Sequence, residues 1–282
     1  TDVIPDNFII DENSLDCGAT YSNGSITWFI DSLVSGDSIN CSFNGKVVFR
    51  EVSDVIWFDS AEVADGRWTI ESALGNNGWE VSTTRRNTGS SSWFVANEDS
   101  QTDYSLVSEL DLTQMDNPIF TFSHWYNTEE AWDGGVVEIR EEGGDWIDAG
   151  EYFIANGYNQ TISTNQQSTI SDRAAFSGNS GQFIQSRIDL SSFTGSTIDL
   201  RFRFSSDGAA NEEGWYIDDI ELIDAEVLSN TLNVSYGDNG ESGSSTANTI
   251  VLGEASTFGL GIYTIEDKNI KIYLKYNSAV RP

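Results

Sequence analysis

Residues 123–146, SHWYNTEEAWDGGVVEIREEGGDW, set the chain's single histidine, His124, and the carboxylates Glu129, Glu130 and Asp133 ahead of a Gly134-Gly135 pair, with Trp125, Trp132 and Trp146 around them. Two chemistries use such groups: a histidine base serving a nucleophile, and a carboxylate pair cleaving a glycosidic bond. The first needs a Ser and an Asp converging on His124, and the sequence places neither. In NPIFTFSHWY, His124 shares parity with Phe120, Phe122 and Tyr126, so on an extended strand it points to the apolar face, and a hydrogen-bonded structural histidine is expected. The second needs a defined carboxyl separation, and with 45 Asp and Glu a chance pair is certain to occur. Gly134 and Gly135 allow positive φ and close backbone approach, so the loop before them can fold back and aim carboxylates inward. Trp132 and Trp146, each beside a loop, are expected to be accessible. With Glu130 and Asp133 they form the candidate ligand-binding set, an indole being a platform for a sugar ring. The stretch as a whole reads as two strands and their rim loop, not as an active site, and no catalytic residue is assigned.

A second constellation lies in GWYIDDIELI, residues 214–223. Tyr216, Asp218, Ile220 and Leu222 share one parity, so if that set faces the core, Asp218 is an inward carboxylate that needs a partner. A structural calcium ion would supply one, with Asp59, Glu62 and Asp65 of FDSAEVADG and the neighbouring Asp219 as further oxygen ligands. The competing reading pairs Asp218 with Arg201 or Arg203, or with backbone N–H groups. Zinc is not expected, because one His and two Cys leave such a site short of ligands.

The elements that must position these groups are strands. In STIDLRFRFSS, Ile198, Leu200, Phe202 and Phe204 alternate with Asp199, Arg201 and Arg203, a period of two with one buried and one wet face. Similar runs recur between Gly, Asn, Asp and Ser clusters (DVIWFDS, SSWFVAN, GGVVEIRE, GQFIQSRIDL), and helical periodicity is nearly absent. Eight or more strands at this spacing indicate an all-β jelly-roll sandwich. Residues 1–52 hold two or three strands, residues 53–224 the long series, and GDNGESGSSTANT after residue 225 is a polar break before two more apolar runs, FGLGIYTI and NIKIYLKYN. The ends therefore read as partial immunoglobulin-like β units flanking one complete domain. Fourteen Lys and Arg against 45 Asp and Glu give a formal charge of −31, which excludes nucleic acid and anionic lipid as partners. No apolar run is long enough to span a membrane. Cys17 and Cys41 can form one disulfide in an oxidising compartment.

These motifs carry two resemblances. TDVIP followed by GSITWFIDSLVSGDSINCSFNGKVVF resembles the closing half of a bacterial surface repeat of immunoglobulin-like type. WFDSAEVADGRWT, SSWFVAN, FTFSHWYNTEEAWDGGVVEIREEGGDW, NGYNQTI, AFSGNSGQFIQSRIDLSSFTGSTIDLRFRFSSD and GWYIDDIEL are together similar to the MAM-like jelly-roll domain appended to secreted bacterial metallopeptidases of the fungalysin and immune-inhibitor-A types. The chain contains no His-Glu-x-x-His, so the protease itself is absent from it. The resemblance implies a non-catalytic accessory or adhesive segment of a large secreted or cell-surface protein, whose partners are the rest of that polypeptide and a glycan or extracellular protein. A carbohydrate-binding module using the rim tryptophans and acidic residues is the alternative.

Overall fold

A computed structural model describes residues 1–4, 8–30, 38–41, 43–47, 55–164, 168–210, 212–236, 241–251, 257–259, 262–266 and 269–273. The chain divides into two compact units, Thr1–Ser53 together with Ala225–Pro282, and Asp54–Asp224.

The central unit is a sandwich of two antiparallel sheets. One runs in the order Phe153–Ala155, Ile184–Asp189, Pro118–Asn127, Gly214–Asp224, Ser92–Ala96, Glu80–Ser82, and Val55–Asp59 also pairs with Gly214–Asp224. Those two neighbours share one edge of Gly214–Asp224: Ser92–Ala96 takes its first half, with Trp93 opposite Ile217, and Val55–Asp59 its second, with Asp59 opposite Ile220. The other sheet runs Ile147–Asp148, Gly134–Glu141, Thr197–Asp207, Gln101–Asp111, Thr69–Leu74. From Gln101 to Asp224 the long strands alternate between the sheets, which is the jelly-roll pattern of chain crossing. The all-β reading and the alternation at 198–204 hold: Ile198, Leu200, Phe202 and Phe204 are in the core, and Arg201 and Arg203 lie on the other face in ion pairs with Glu138 and Asp103.

One parity differs from the sequence expectation. Trp215 and Ile217 are core residues, and so are Ile220 and Leu222, two sets that strict alternation would send to opposite faces. The switch occurs at Asp218–Asp219. The pairing with Pro118–Asn127 slips between Thr121 and Ser123, and Asp219 adopts a positive φ of 45°, the signature of a β-bulge. Asp218 therefore shares the outer face with Tyr216, away from the main core.

The other unit joins strands from both flanks. Asp2–Val3 pairs with Glu226–Tyr236 and with Ser25–Thr27, and residues 241–249 of the stretch GDNGESGSSTANT, which read as a polar break, belong to the strand Glu241–Val251 along Glu226–Tyr236. Polar Ser, Thr and Asn residues satisfy a ladder through their backbones whatever their side chains, so composition alone misread this segment. Ile4, Ile26 and Phe43 make a small core, and Cys17 and Cys41 are joined in a disulfide. Of the strands expected in the two flanks, residues 31–37, 42, 48–50, 260–261 and 274–277 lie outside the described residues.

Candidate functional site

His124 lies on the Pro118–Asn127 strand with its ring fully buried. Its Nδ1 accepts from Trp215 Nε1 at 3.1 Å. A neutral ring that accepts at Nδ1 must carry its proton on Nε2, and that N–H donates to Ser186 Oγ, 2.9 Å away. The hydroxyl in turn donates to the Asn156 carbonyl at 2.6 Å. The Ser–His contact has the distance of a nucleophile–base pair but the opposite polarity, because Nε2 has no lone pair left to take the serine proton. Burial lowers the imidazole pKa to about 3, so the ring stays neutral. His124 thus holds a structural place, as its parity implied.

The five carboxylates expected around one ion are not brought together. Asp59 accepts three N–H bonds: Ala61 N at 2.8 Å on Oδ1, and the indoles of Trp68 and Trp93 at 2.7 and 2.8 Å on Oδ2. Glu62 is capped by Ser90, whose N–H and hydroxyl both donate to it and lower its pKa. Asp65 pairs with Arg67 at 2.7 Å. Asp218 accepts from the backbone N–H groups of Asn87, Thr88 and Asp219 at 2.7, 3.1 and 2.8 Å, although burial still raises its pKa. Asp219 takes the side chains of Asn87 and Thr88. Each of these five carboxylates thus has hydrogen-bonding or ionic partners of its own within the protein. The need that the sequence signalled at Asp218 is met by the loop 84–89, and the partner is backbone, not Arg201 or Arg203.

The carboxylates that do converge stand at one end of the sandwich, where three chain segments meet. Glu129 and Asp133 lie in the loop before Gly134–Glu141, Asp207 ends Thr197–Asp207, and Asn97 follows Ser92–Ala96. Carboxylate oxygens of Glu129, Asp133 and Asp207 all lie within 4.8 Å of one another. Asp133 is fully buried and Asp207 nearly so. Asp133 Oδ1 accepts from Asp207 N at 2.6 Å and Oδ2 from Asn97 Nδ2 at 2.7 Å. Burial, opposed by these hydrogen bonds and reinforced by the charges of Asp207 and Glu129, pushes the Asp133 carboxyl up to about 7. Burial likewise raises Glu129, with Asp207 and Glu212 adding repulsion.

The glycine pair makes this convergence possible, by close approach alone. A Cβ on Gly134 would lie 2.5 Å from the Phe176 carbonyl, and one on Gly135 2.2 Å from the Trp215 ring. The positive φ in the loop falls instead at Ala131, at 64°. Glu129 and Asp133 were visible in the sequence as inward-aimed candidates. Asp207 and Asn97 were not, because only strand topology brings residues 97, 133 and 207 to one place. Their sole sequence signal is a polar residue at or just after the end of a strand, in WFVAN and RFRFSSD.

The proposed binding rim is dispersed. Trp146 packs against the guanidinium groups of Arg140 and Arg201, which lie over its ring at 4.3 and 4.1 Å from the centre. Trp132 is half-buried, and Glu130 is exposed and accepts from Gln160 at 3.2 Å. Asp133 belongs to the buried cluster and not to a rim. No described helix is long and apolar enough to cross a membrane.

Comparison with known proteins adds the following. A family model described as the MAM domain of immune inhibitor A-like proteins matches residues 74–250. Bacillopeptidase F of Bacillus subtilis (strain 168) is 27% identical over 198 residues, which are 64% of this chain and 12% of that protein; the chain spans only that fraction of its relative. Among solved structures, a carbohydrate-binding module in complex with β-1,4-galactotriose is 10% identical with a TM-score of 0.37, covering 56% of this chain and 89% of that one. A xylan-binding domain from Paenibacillus barcinonensis is 12% identical with a TM-score of 0.37, covering 68% and 97%. The K3 cleaved adhesin domain of Lys-gingipain from Porphyromonas gingivalis is 20% identical with a TM-score of 0.34, covering 56% and 91%.

Proposed function

Because the chain belongs to the immune inhibitor A-like MAM domain family, we propose that it is a non-catalytic accessory segment of a large secreted or cell-surface peptidase, serving spacing or substrate attachment. The observation that carries this reading is the family match across residues 74–250, and the relationship to a named peptidase of which the chain spans only 12% is in keeping with it. The side chains offer the same support. The single histidine has its polarity reversed for base catalysis, and the converging carboxylates share a buried cluster. An extracellular setting accords with the Cys17–Cys41 disulfide, since such bonds persist in oxidising compartments.

The test is to incubate the purified chain with unfolded protein, short peptides and polysaccharides, and separately to screen it for binding to a glycan array and to extracellular proteins. The expected result is no turnover, with attachment to one macromolecular class. Turnover abolished by Glu129→Gln or His124→Gln would refute the accessory reading.

A further inference from the structure

We propose that the groove beside the loop 84–89, on the outer face of the sheet that carries Trp125, binds a neutral glycan, with Arg86 as its principal hydrogen-bond donor. The groove, of about 660 Å³, is lined by residues 84–89, by Gly181, Gln182 and Phe183, and by Trp125. Its size falls in the range of small-ligand sites, about 300–1,000 Å³. None of Trp132, Trp146, Glu130 and Asp133, the binding set expected from the sequence, lines it.

The loop is fixed from the sheet side. Arg85 bonds Glu213 through Nε and Nη2 at 2.5 and 2.7 Å and lays its guanidinium over the Trp125 ring, 3.7 Å from the centre. Asp218 takes the backbone N–H groups of Asn87 and Thr88, and Asp219, at the bulge, takes their side chains. To make these bonds the fold buries the Asp218 carboxylate and holds Asp219 at a positive φ. A loop fixed in this way has already lost the freedom that binding would otherwise cost. Between the anchored residues 85 and 87 stands Arg86, exposed, with one bond to the Thr83 carbonyl at 3.4 Å. Arg67, Arg85, Arg140, Arg173, Arg201 and Arg203 each hold a carboxylate. Among the described residues Arg86 and Arg187 do not, and Arg187 donates to Gln185 at 2.8 Å. In a chain of 45 acidic residues against 14 basic ones, a fixed backbone that presents an unpaired guanidinium to a groove is arranged for an outside acceptor.

The lining selects the ligand. Arg86 offers a planar fork of N–H donors, the exposed Gln182 both an amide donor and a carbonyl acceptor, and Thr84 a hydroxyl, while the half-buried Phe183 adds an apolar ring. Forked polar groups beside an aromatic surface suit adjacent hydroxyls on a sugar ring whose C–H face is apolar. A purely apolar ligand would leave the polar groups unpaired. A polyanion, whether an acidic peptide or an acidic polysaccharide, meets the repulsion of a formal charge of −31. A neutral polysaccharide meets neither objection. The inference deepens the accessory reading and rests on it, since the groove is where substrate attachment takes place.

The full chain is titrated by calorimetry with soluble neutral hexasaccharides of glucose, mannose, galactose and xylose, and with polygalacturonate as the anionic control. Saturable binding to at least one neutral hexasaccharide is expected, and none to the control. Arg86→Ala should weaken it at least about tenfold, since hydrogen bonds from a charged donor are lost, and Phe183→Ala by about three- to tenfold through loss of the ring face. Arg187→Ala and Trp146→Phe should leave it unchanged. If Phe183→Ala fails to fold, Arg86→Ala decides alone, because it alters an exposed side chain with no carboxylate partner to lose. No binding to any neutral hexasaccharide, or binding undiminished in Arg86→Ala, would overturn the proposal, and binding to polygalacturonate instead would overturn its choice of ligand. Absence of binding leaves the accessory reading standing, whereas turnover of the sugars would refute that reading, so the two fail separately.

Discussion

Lowering the pH should leave His124 uncharged far below the range in which a histidine ordinarily titrates. Its pKa stands at about 3 against the 6.5 of an exposed histidine, through burial, so between these values the unfolded chain binds a proton that the folded one refuses. Stability from this group is complete above pH 6.5 and is lost as the pH falls towards 3. At one pKa unit per 1.36 kcal/mol, the loss is about 2 kcal/mol by pH 5 and approaches roughly 5 kcal/mol near pH 3. Asp133, pushed up to about 7, acts in the opposite sense between pH 7 and 4, because its carboxyl binds a proton more readily folded than unfolded. The His124 contribution must therefore be read as the difference between wild type and His124→Phe in denaturant titrations at several pH values. The direct assay is NMR: one histidine in the chain gives one imidazole signal, expected to stay flat from pH 8 to 4, with the nitrogen shifts of an Nε2-protonated ring. A midpoint between 6 and 7, or an Nδ1-protonated ring, would refute the buried relay from Trp215 to Ser186 and reopen His124 as a base.

Other perturbations test separate parts of the account. Asp59→Ala should cost about 2–5 kcal/mol in urea unfolding, because the buried indole N–H groups of Trp68 and Trp93 lose their shared acceptor; a cost below 1 kcal/mol would remove Asp59 as an anchor. Gly135→Ala should destabilise by about 1–3 kcal/mol, since its Cβ would meet the Trp215 ring at 2.2 Å, and near-ultraviolet circular dichroism should register the displaced indole. Glu138→Ala should cost about 3 kcal/mol, because the buried carboxylate within 2.6 Å of both Arg173 and Arg201 is lost, leaving Arg201 without its ion-pair partner and Arg173 with Asp148 alone; an unchanged midpoint would mean that water replaces it.

Much of the central fold can be read from alternation, because a strand buried on one face and wet on the other writes its period into the sequence. Ile198, Leu200, Phe202 and Phe204 illustrate this, and so does His124, whose neighbours in parity named its environment. Asp218 shows where the reading stops. A bulge adds one residue to one strand and reverses parity beyond it, and nothing in the run YIDDIE marks the extra residue. The Gly134-Gly135 pair announced a close approach but not the carbonyl and indole it would meet. The carboxylate cluster was half legible. Glu129 and Asp133 share a loop, whereas Asn97 and Asp207 arrive on other strands, and local spacing carries no information about which strand ends become neighbours. Acidic residues were also too abundant for their type alone to distinguish Asp207 from the many that remain solvated.

The accessory role is tested most directly in the parent polypeptide, by comparing it with a form from which this segment has been deleted. Hydrolysis of a short peptide should keep its kcat/KM within about twofold, while attachment to, or cleavage of, a macromolecular substrate should fall at least tenfold, because a module outside the catalytic centre contributes binding and not chemistry. Loss of short-peptide hydrolysis on deletion, in a parent that remains folded, would contradict the account and place this segment within the catalytic machinery.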